Sequence, residues 1–276
     1  MKNLALSVRS LEKNFGNFQA VKSLNLSIPA GEFFGLLGPN GAGKTTSINM
    51  MSSLVRPSQG SASVFGLDVV KNSVKVRKKI GLVFQDSALD RQLSVWENLR
   101  FAGLLHDLPF KEVSEKANHL LKLFNLIDKK NTPVAVLSGG QRRVLDIARG
   151  VMHEPDLLFL DEPTIGLDLP TRRNIWRLIN KLRAEFGMTV LLTTHYLEEA
   201  ENCDRVSFLK KGSIVLTGNP KKLVDDLASE IVEIETHEID QVLEFVKNFF
   251  GNPLVEYETL FFKIKDDRSV NVSKVI

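Results

Sequence analysis

The chain has 276 residues, 43% of them hydrophobic, so it can bury a full core and is not expected to be disordered. Its 36 basic and 33 acidic residues give a net charge of +3, which argues neither for nor against a nucleic-acid partner. The single cysteine excludes an internal disulfide and fits a reducing compartment. No apolar run approaches the length of a membrane-spanning helix, and the apolar start is broken too early for a signal peptide, so we expect a cytosolic chain.

The order of strand and helix patterns predicts an α/β domain. Apolar residues alternate with polar ones over 4–8 and 24–28, which predicts antiparallel strands near the start. Apolar residues recur at helical spacing over 113–124 and 175–186. Four short, continuously apolar segments are typical of strands buried on both faces: 33–38, 80–85, 156–162 and 189–195. Buried strands alternating with helices form a largely parallel sheet, whose ligands bind at the carboxyl ends of the strands.

The last part of the chain has a different composition. Residues 205–217 are predicted to form a hairpin that turns at residues 211–212. The pattern that follows is a strand, an amphipathic helix and two further strands. We therefore expect a main domain at residues 1–228 and a small α+β appendage at residues 229–276.

A glycine-rich loop, GPNGAGKTT, follows the first buried strand and precedes a predicted helix. It matches the phosphate-loop pattern in the structural context that the motif requires, and a plain glycine-rich turn is the alternative. The backbone N–H groups of such a loop point at phosphate oxygens, Lys44 adds a full charge, and the Thr45 hydroxyl can ligate Mg²⁺. The predicted phosphate-binding residues are Gly38, Pro39, Asn40, Gly41, Ala42, Gly43, Lys44, Thr45 and Thr46.

Polar residues also end the other buried strands. Asp161 and Glu162 end one of them, and we expect Asp161 to hold magnesium through water and Glu162 to orient or deprotonate the attacking water. Gln85 ends another strand and can reach magnesium or that water, and His195 ends the last and can hydrogen-bond a γ-phosphate. The alternative for the carboxylates is a solvated strand end, and for the other two a residue with no special role. The remaining histidines are expected at the surface: His106, His119, His153 and His237.

A second glycine-rich segment, LSGGQ at 137–141, precedes an amphipathic helical pattern. Ser138 then occupies the N-cap, which places the Gly139 and Gly140 amides at a helix start, where an anion can bind. A capped helix after a flexible turn is the alternative. Because the phosphate loop already provides one anion site, this second one needs an explanation.

Together these motifs resemble the nucleotide-binding subunit of an ABC transporter. Their order along the chain matches that family: Phe15, the loop at 38–46, Gln85, LSGGQ at 137–141, the strand and carboxylates at 157–162, GLD at 166–168, and His195. The resemblance covers residues 1 to about 225. It implies a P-loop NTPase core of the ABC ATPase type, with an antiparallel β subdomain and an α-helical subdomain, that hydrolyses ATP with Mg²⁺.

The resemblance also implies a role for the second glycine-rich segment. In this family two nucleotide-binding domains dimerise head to tail, and each signature loop closes on the ATP held by the other subunit. Phe15 is implied to stack on adenine, where tyrosine is common in the family and only the ring face is needed. Asp168 is implied to link the two sites across the dimer. The residues implied to grip the partner's ATP are Ser138, Gly139, Gly140 and Gln141, and those implied to hold Mg²⁺ are Thr45, Gln85 and Asp161.

Three further segments resemble the subfamily paired with ABC-2-type membrane subunits, which export drugs, lipids, polysaccharides or ions: SVWENLRFAGLLHDL, GLDLPTRRNIW and TTHYLEEAE. The resemblance implies a permease partner, a second copy of the chain or a paralogous ATPase subunit, no nucleic acid, and a peripheral position on the cytoplasmic face of the membrane. A short permease helix is expected to dock in a groove between the Gln85 region and the helical subdomain. Leu93, Val95 and Trp96 are candidates for its wall, and ordinary core packing is the alternative for Trp96.

Other uses of such an ATPase stay open. A DNA-repair or chromosome-organising enzyme would carry long coiled coils between the phosphate loop and the signature, whereas about ninety residues without heptads intervene here. The sequence does not distinguish transport from a non-transport membrane process or a mechanical signal. The appendage is expected to regulate or stabilise the dimer, with a purely structural role as the alternative.

Overall fold

A computed structural model describes residues 3–223, 231–235, 242–244, 247, 254–256 and 259–263. The chain divides into two compact units, Met1–Gly218 and Asn219–Ile276. The domain boundary expected at residues 228–229 lies outside the described residues, and so does His237. Within the described part of the chain, no helix is both long and apolar enough to cross a membrane.

The first unit contains ten strands and seven helices among its described residues. In chain order they are β1 (Leu4–Phe15), β2 (Phe18–Pro29), β3 (Phe33–Leu37), α1 (Lys44–Met51), β4 (Gln59–Val64), β5 (Leu67–Asp68), α2 (Ser73–Lys79), β6 (Ile80–Val83), α3 (Val95–Leu105), α4 (Phe110–Leu123), α5 (Gly139–Gly150), β7 (Leu157–Asp161), α6 (Leu169–Phe186), β8 (Thr189–Thr194), α7 (Leu197–Ala200), β9 (Arg205–Lys210) and β10 (Ser213–Gly218). Short 3-10 turns at Ile127–Lys129 and Val134–Val136 lead into α5.

The main sheet has six strands in the order β10-β9-β3-β8-β7-β6. All neighbours are parallel except β10, which pairs antiparallel with β9. Every residue of β3, β7 and β8 is buried, as their continuous apolar sequences predict. The registers pair Leu37 with Thr194 and Asp161 with Thr193, so the carboxyl ends of these strands meet at one edge.

A second, antiparallel sheet in the order β2-β1-β4-β5 packs against the main sheet. The alternation predicted near the start of the chain buries one face of β1 and β2. One hydrophobic core joins both sheets and α1, and it includes Leu6, Ile28, Phe34, Ile48 and Phe159. This core fixes the glycine-rich loop between β3 and α1, because both flanking elements are buried in it.

The helices α3, α4 and α5 form a helical layer beside the free edge strand β6. Ser94 starts α3 with a capping box, in which its hydroxyl accepts from the Glu97 amide at 3.2 Å and the Glu97 carboxylate accepts from the Ser94 amide at 2.7 Å. The apolar stripe of α4 is buried as predicted. The observed fold is therefore the expected α/β core with an antiparallel β subdomain and a helical subdomain.

In the second unit the described strands are β11 (Ile231–Glu235), β12 (Leu254–Glu256) and β13 (Thr259–Lys263). They form an antiparallel sheet in the order β11-β13-β12.

Candidate nucleotide-binding site

The glycine-rich loop after β3 is held from two sides at very close range. Gly38 donates its amide to the Thr194 carbonyl at 3.2 Å, which ties the loop to β8. A Cβ on Gly38 would lie 2.2 Å from the carbonyl oxygen of Leu209, and one on Gly43 would lie 2.6 Å from that of Ala20. Gly43 also has a φ of 105°, which L side chains rarely adopt. Both positions therefore require glycine.

The turn between β9 and β10 closes the outer side of this loop. The Gly212 amide donates to the Ala42 carbonyl at 2.9 Å, and the Gly212 carbonyl accepts from the Lys22 amide at 2.7 Å. The hairpin predicted at residues 205–217 thus supports the loop in addition to extending the sheet.

Lys44 provides a buried positive charge within the site. Its ammonium is buried and donates to the Gly38 and Pro39 carbonyls at 2.8 and 3.2 Å. It also forms an ion pair with Oε1 of Glu162 at 3.0 Å. The other carboxylate oxygen of Glu162 lies 3.2 Å from Nδ1 of His195, although the angle between the two groups does not make a hydrogen bond. The structure therefore brings together three predicted site residues, one from the glycine-rich loop and two from separate strand ends.

The two carboxylates at the end of β7 are positioned by Thr193 on β8. The Thr193 hydroxyl donates to Oδ1 of Asp161 at 2.5 Å. The Glu162 amide in turn donates to the Thr193 carbonyl at 3.2 Å and lies 3.1 Å from its hydroxyl oxygen. Glu162 has a φ of 44°, a left-handed conformation that costs an L residue about 1–2 kcal/mol. The sheet thus holds Glu162 in a strained backbone conformation in which its carboxylate pairs with the Lys44 ammonium.

Arg143 on α5 is a residue of the site that the sequence did not reveal. It is 7% exposed, and its guanidinium donates to backbone carbonyls of two different strand ends. The acceptors are Phe84 (2.5 Å) and Gln85 (3.4 Å) after β6, and Asp161 (3.0 Å), Glu162 (3.2 Å) and Pro163 (2.6 Å) at the end of β7. Burial lowers the pKa of Arg143, and the nearby Asp146 and Asp161 oppose this. The Arg143 side chain therefore links the start of α5 to the ends of β6 and β7.

Gln85 is placed at the same sheet edge, but its side chain is exposed. Within the described part of the chain its side chain makes no hydrogen bond with Lys44, Asp161 or Glu162; only its carbonyl is tied in, through Arg143. A role for Gln85 in magnesium or water binding stays a prediction.

The LSGGQ segment forms the start of α5, with Ser138 as N-cap. The Ser138 hydroxyl accepts from the Gln141 amide at 3.2 Å, and the Gln141 side-chain oxygen accepts from the Ser138 amide at 3.0 Å. A Cβ on Gly140 would lie 2.7 Å from Cγ2 of Thr171, so the starts of α5 and α6 are close. Among the described residues, no hydrogen bond or ion pair joins this segment to residues 38–46.

Asp168 and Phe15 lie at the surface. Asp168 caps α6 by accepting from the Thr171 amide at 3.0 Å, and the Thr171 side-chain hydrogen bond lowers the pKa of Asp168. Phe15 ends β1 with its ring about half exposed and Lys13 Nζ 5.1 Å from the ring centre. An exposed ring of this kind can stack on a planar base.

Three residues at or just before the start of α3, Leu93, Val95 and Trp96, were expected to form the wall of a docking groove, and this role stays a prediction. Val95 is fully buried in the first turn of α3, and Trp96 packs under Lys130 with Nζ 4.2 Å from its ring. Leu93, Val95 and Trp96 do not line the groove beside the Gln85 region. They precede or begin α3, whereas that groove runs along the later part of the helix.

The other histidines were expected at the surface, and two of them, His106 and His153, are only partly exposed. His106 and His153 stack on each other with ring centres 3.6 Å apart. Burial lowers the pKa of His153 to about 4, and the pKa of His106 is lowered for the same reason. His119 is exposed and pairs with Glu185.

A glycine loop with a buried lysine, a carboxylate pair and a histidine at the edge of a parallel sheet define a P-loop nucleoside triphosphatase. The protein family described as "ABC transporter" matches residues 21–165, more than half of the chain. The chain belongs to this family and is an ATP-binding, ATP-hydrolysing subunit.

Relatives and a solved structure agree with this assignment. "Daunorubicin resistance ATP-binding protein DrrA3" of Streptomyces coeruleorubidus is 40% identical over 243 residues, which cover 88% of this chain and 77% of the relative. "Nod factor export ATP-binding protein I" of Cupriavidus metallidurans is 36% identical over 263 residues, covering 95% and 86%. The dimeric, post-hydrolysis structure of the ATP-binding cassette MJ0796 with ADP and Pi matches with a TM-score of 0.71 at 30% identity, covering 78% of this chain and 98% of that one.

Proposed function

We propose that the chain binds ATP and Mg²⁺ at residues 38–46 and works as a head-to-tail dimer in which each signature segment contacts the ATP of the other subunit. The observation that carries this proposal is the start of α5. The amides of Ser138 and Gln141 are each bonded to the other residue's side chain. The amides of Gly139 and Gly140 lie in the first helical turn, where a helix offers no intrahelical acceptor. Such amides at a helix start attract an anion, and the phosphate loop of the same chain is not in contact with them.

The contacts of Lys44 suggest how nucleotide binding and hydrolysis are linked. A γ-phosphate entering the loop competes with Glu162 for the Lys44 ammonium, because both are anions. Release from Lys44 leaves the Glu162 carboxylate available as a general base for water, while Asp161 and Thr45 hold Mg²⁺. His195 lies 3.2 Å from Glu162 and would contact the γ-phosphate on the same side. Gln85 can complete the magnesium shell if its exposed side chain turns inward.

A mixing experiment tests the shared site. Lys44→Ala damages the phosphate loop and Ser138→Arg damages the signature, so either homodimer has two broken sites. If sites are shared, a mixed dimer has one site with both defects and one intact site, and we expect it to occlude one labelled ATP. If mixed dimers form and occlude no more ATP than the two parents, the signature segment does not act on the partner's ATP.

Ser138→Arg also removes a helix cap, which typically costs about 0.5–2 kcal/mol. Ser94→Arg is the matched control, because Ser94 forms the same capping box on α3, away from the site. It should lose similar stability without loss of ATP occlusion.

We further propose that the dimer drives an ABC-2-type permease in export of a drug, lipid, polysaccharide or ion, from the cytoplasmic face of the membrane. The names of the relatives, which concern drug resistance and Nod factor export, support this direction. The second ATPase subunit is a copy of this chain or a paralogue, and nucleic acid has no part in the activity. Isolating the complex from its native membrane and identifying the second chain tests the proposal. A partner without a transport pathway would favour the alternative, an ATPase that drives a non-transport membrane or mechanical process.

The C-terminal appendage, residues 229–276, is proposed to regulate or stabilise the dimer formed by residues 1–228. Removing it should leave ATP binding intact and weaken dimerisation in ATP, as measured by light scattering. Unchanged dimerisation would favour a purely structural role.

A further inference from the structure

A cavity of about 470 Å³ lies between α6 and the segment that begins with α7, and we call it the α6–α7 cavity. Its volume falls within the roughly 300–1,000 Å³ that is usual for small-molecule sites. Trp176 lines the cavity and is 8% exposed, with its ring packed against Phe33 of β3 at 5.9 Å between ring centres. None of the residues 38–46 lines it, so the cavity is separate from the phosphate loop.

The two walls of the α6–α7 cavity carry opposite charges. The wall formed by α6 is basic, and the wall formed by α7 and the residue after it is acidic. The charged residues are Arg172, Arg173 and Arg177 on the basic wall and Glu198, Glu199 and Glu201 on the acidic wall. Among the described residues, no ion pair crosses the cavity from one wall to the other. Opposite charges that share a cavity without pairing can hold the two ends of a ligand that carries both signs.

Glu199 is the buried member of the acidic wall, with 4% of its surface exposed. Its Oε1 accepts a hydrogen bond from the Thr164 hydroxyl. Its Oε2 is buried and has no hydrogen-bond donor in the described part of the chain. Buried carboxylate oxygens without donors cost stability and are rare unless a ligand, water or partner supplies the donor. This acceptor is a second indication of a ligand, independent of the charges on the surface.

The spacing of the arginines on the basic wall suits an anion. Arg173 and Arg177 are four residues apart on α6, which places them on the same face of the helix, and both are exposed. Like charges at this spacing destabilise a helix, and an anion bound between them offsets the repulsion. Each guanidinium presents a planar fork of N–H donors that matches a carboxylate or a phosphate.

We propose that the α6–α7 cavity binds a small zwitterion, with its carboxylate or phosphate on Arg173 and Arg177 and its ammonium group facing Glu199 and the rest of the acidic wall. A free amino acid and the phospholipid headgroup phosphoethanolamine share this chemistry. ATP does not, because it carries no ammonium group.

The cavity is connected to the nucleotide site through Arg172. Its Nε donates to the Leu167 carbonyl at 2.9 Å, directly before Asp168, and its guanidinium lies 4.2 Å from the ring centre of Tyr196. Tyr196 follows His195 in the chain, and the centres of these two rings are 4.0 Å apart. A ligand on the basic wall therefore acts on the segments that carry Asp168 and His195, and we expect it to change the rate of ATP hydrolysis.

Fluorescence of Trp176 tests binding directly. The chain has two tryptophans, and Trp96→Phe leaves Trp176 as the only one. The zwitterionic probes are γ-aminobutyrate and phosphoethanolamine, and butyrate and butylamine are the matched analogues with a single charge. We expect a saturable change of Trp176 emission with at least one zwitterion and binding about tenfold weaker or less for each analogue, because one wall then loses its partner. Binding of γ-aminobutyrate alone would assign a carboxylate to the arginines, and binding of phosphoethanolamine alone a phosphate. If neither zwitterion binds, or if an analogue binds as tightly, the proposal is wrong.

A double variant, Arg173→Gln with Arg177→Gln, tests the basic wall. We expect its affinity for the zwitterion to fall about ten- to a hundredfold, because both charge-assisted contacts to the anion are lost. Lys181→Gln is the matched control, since Lys181 is exposed on the same helix and does not line the cavity. It should bind the zwitterion as the parent does. Equal affinities in the double variant and the parent would place the ligand elsewhere and overturn the proposal.

The double variant should fold and bind ATP normally, because both arginines are exposed and neither contacts residues 38–46. ATP titration calorimetry of the double variant therefore separates loss of the zwitterion site from loss of structure. A saturating zwitterion should change the steady-state ATPase rate of the wild type and leave that of the double variant at its ligand-free value. An unchanged wild-type rate with saturable binding would overturn the connection to the nucleotide site.

Discussion

Replacing Arg143 with lysine should damage both stability and turnover while leaving ATP binding largely intact. The guanidinium donates to five backbone carbonyls, whereas a lysine ammonium has three N–H groups and no planar fork. At least two carbonyls then lose their donor in a buried site. A hydrogen bond to a charged group contributes about 1.5–3 kcal/mol, and the contacts at 3.2 and 3.4 Å are the weakest. We therefore expect a loss of about 2–4 kcal/mol.

Turnover should fall because both strand ends lose their common support. Misplacement of a reacting group by about 1 Å can cost on the order of 10²-fold in rate, so we expect kcat to fall by up to that factor. Since no contact of Arg143 reaches residues 38–46, ATP affinity should stay close to that of the wild type.

The matched control is Arg149→Lys, on the same helix, because Arg149 donates to a single carbonyl, that of Ala88 at 3.0 Å. Thermal unfolding, steady-state ATPase rates and ATP titration calorimetry should be measured for both variants. For a unit of this size the stability loss corresponds to a Tm decrease of roughly 4–16 °C. If Arg143→Lys behaves like Arg149→Lys in Tm and kcat, the guanidinium does not hold the two strand ends together.

Three other outcomes are expected. Glu162→Gln should keep ATP binding, because it removes only the carboxylate charge opposite Lys44, and lower turnover by about 10²–10⁴-fold; hydrolysis above half of the wild-type rate would reject Glu162 as the base. Lys44→Ala should weaken ATP binding by about ten- to a hundredfold, the value of a charge-assisted phosphate contact, and unchanged affinity by calorimetry would place the nucleotide elsewhere. His153 is held neutral with a pKa of about 4, below the ~6.5 of an unfolded histidine; its contribution to stability is complete above pH 6.5 and lost as the pH falls toward 4. The Tm of His153→Phe should therefore decline less than that of the wild type over this range, and parallel declines would contradict the assignment.

The sequence predicts the sheet and the phosphate loop well because their signals are local. Short, continuously apolar segments bounded by polar residues predicted β3, β6, β7 and β8. The glycine-rich loop was recognisable from its spacing and from the predicted strand and helix on either side of it. In each case one stretch of chain determines the outcome, so no knowledge of distant contacts is needed.

The ion pair between Lys44 and Glu162, and the role of Arg143, depend on contacts between distant segments. The sequence places Glu162 at a strand end but does not give the direction of its side chain, which follows from a left-handed φ and two contacts with Thr193. Arg143 did leave a signal. It is a charged residue beside Val144 on the buried side of an amphipathic helix, a position that demands buried acceptors.

The burial of residues at the two ends of α3 was not predictable from the sequence either. Val95 is apolar, and in the first turn of the helix it packs into the core. Leu105, at the other end of the helix, has the same apolar character and is exposed. Hydrophobicity alone therefore does not distinguish an apolar residue buried in the core from one exposed at the surface.

The contact between the β9–β10 turn and the phosphate loop has a consequence for synthesis of the chain. Ala42 leaves the ribosome about 170 residues before Gly212, which closes the outer side of the loop. At the usual ~5–20 residues per second this is a delay of roughly 10–30 s. During that interval the nascent chain carries its phosphate-binding sequence without the carbonyl of Leu209 or the amide of Gly212 to shape it. A ribosome-bound chain arrested before residue 209 is therefore expected to bind ATP more weakly than the full-length chain.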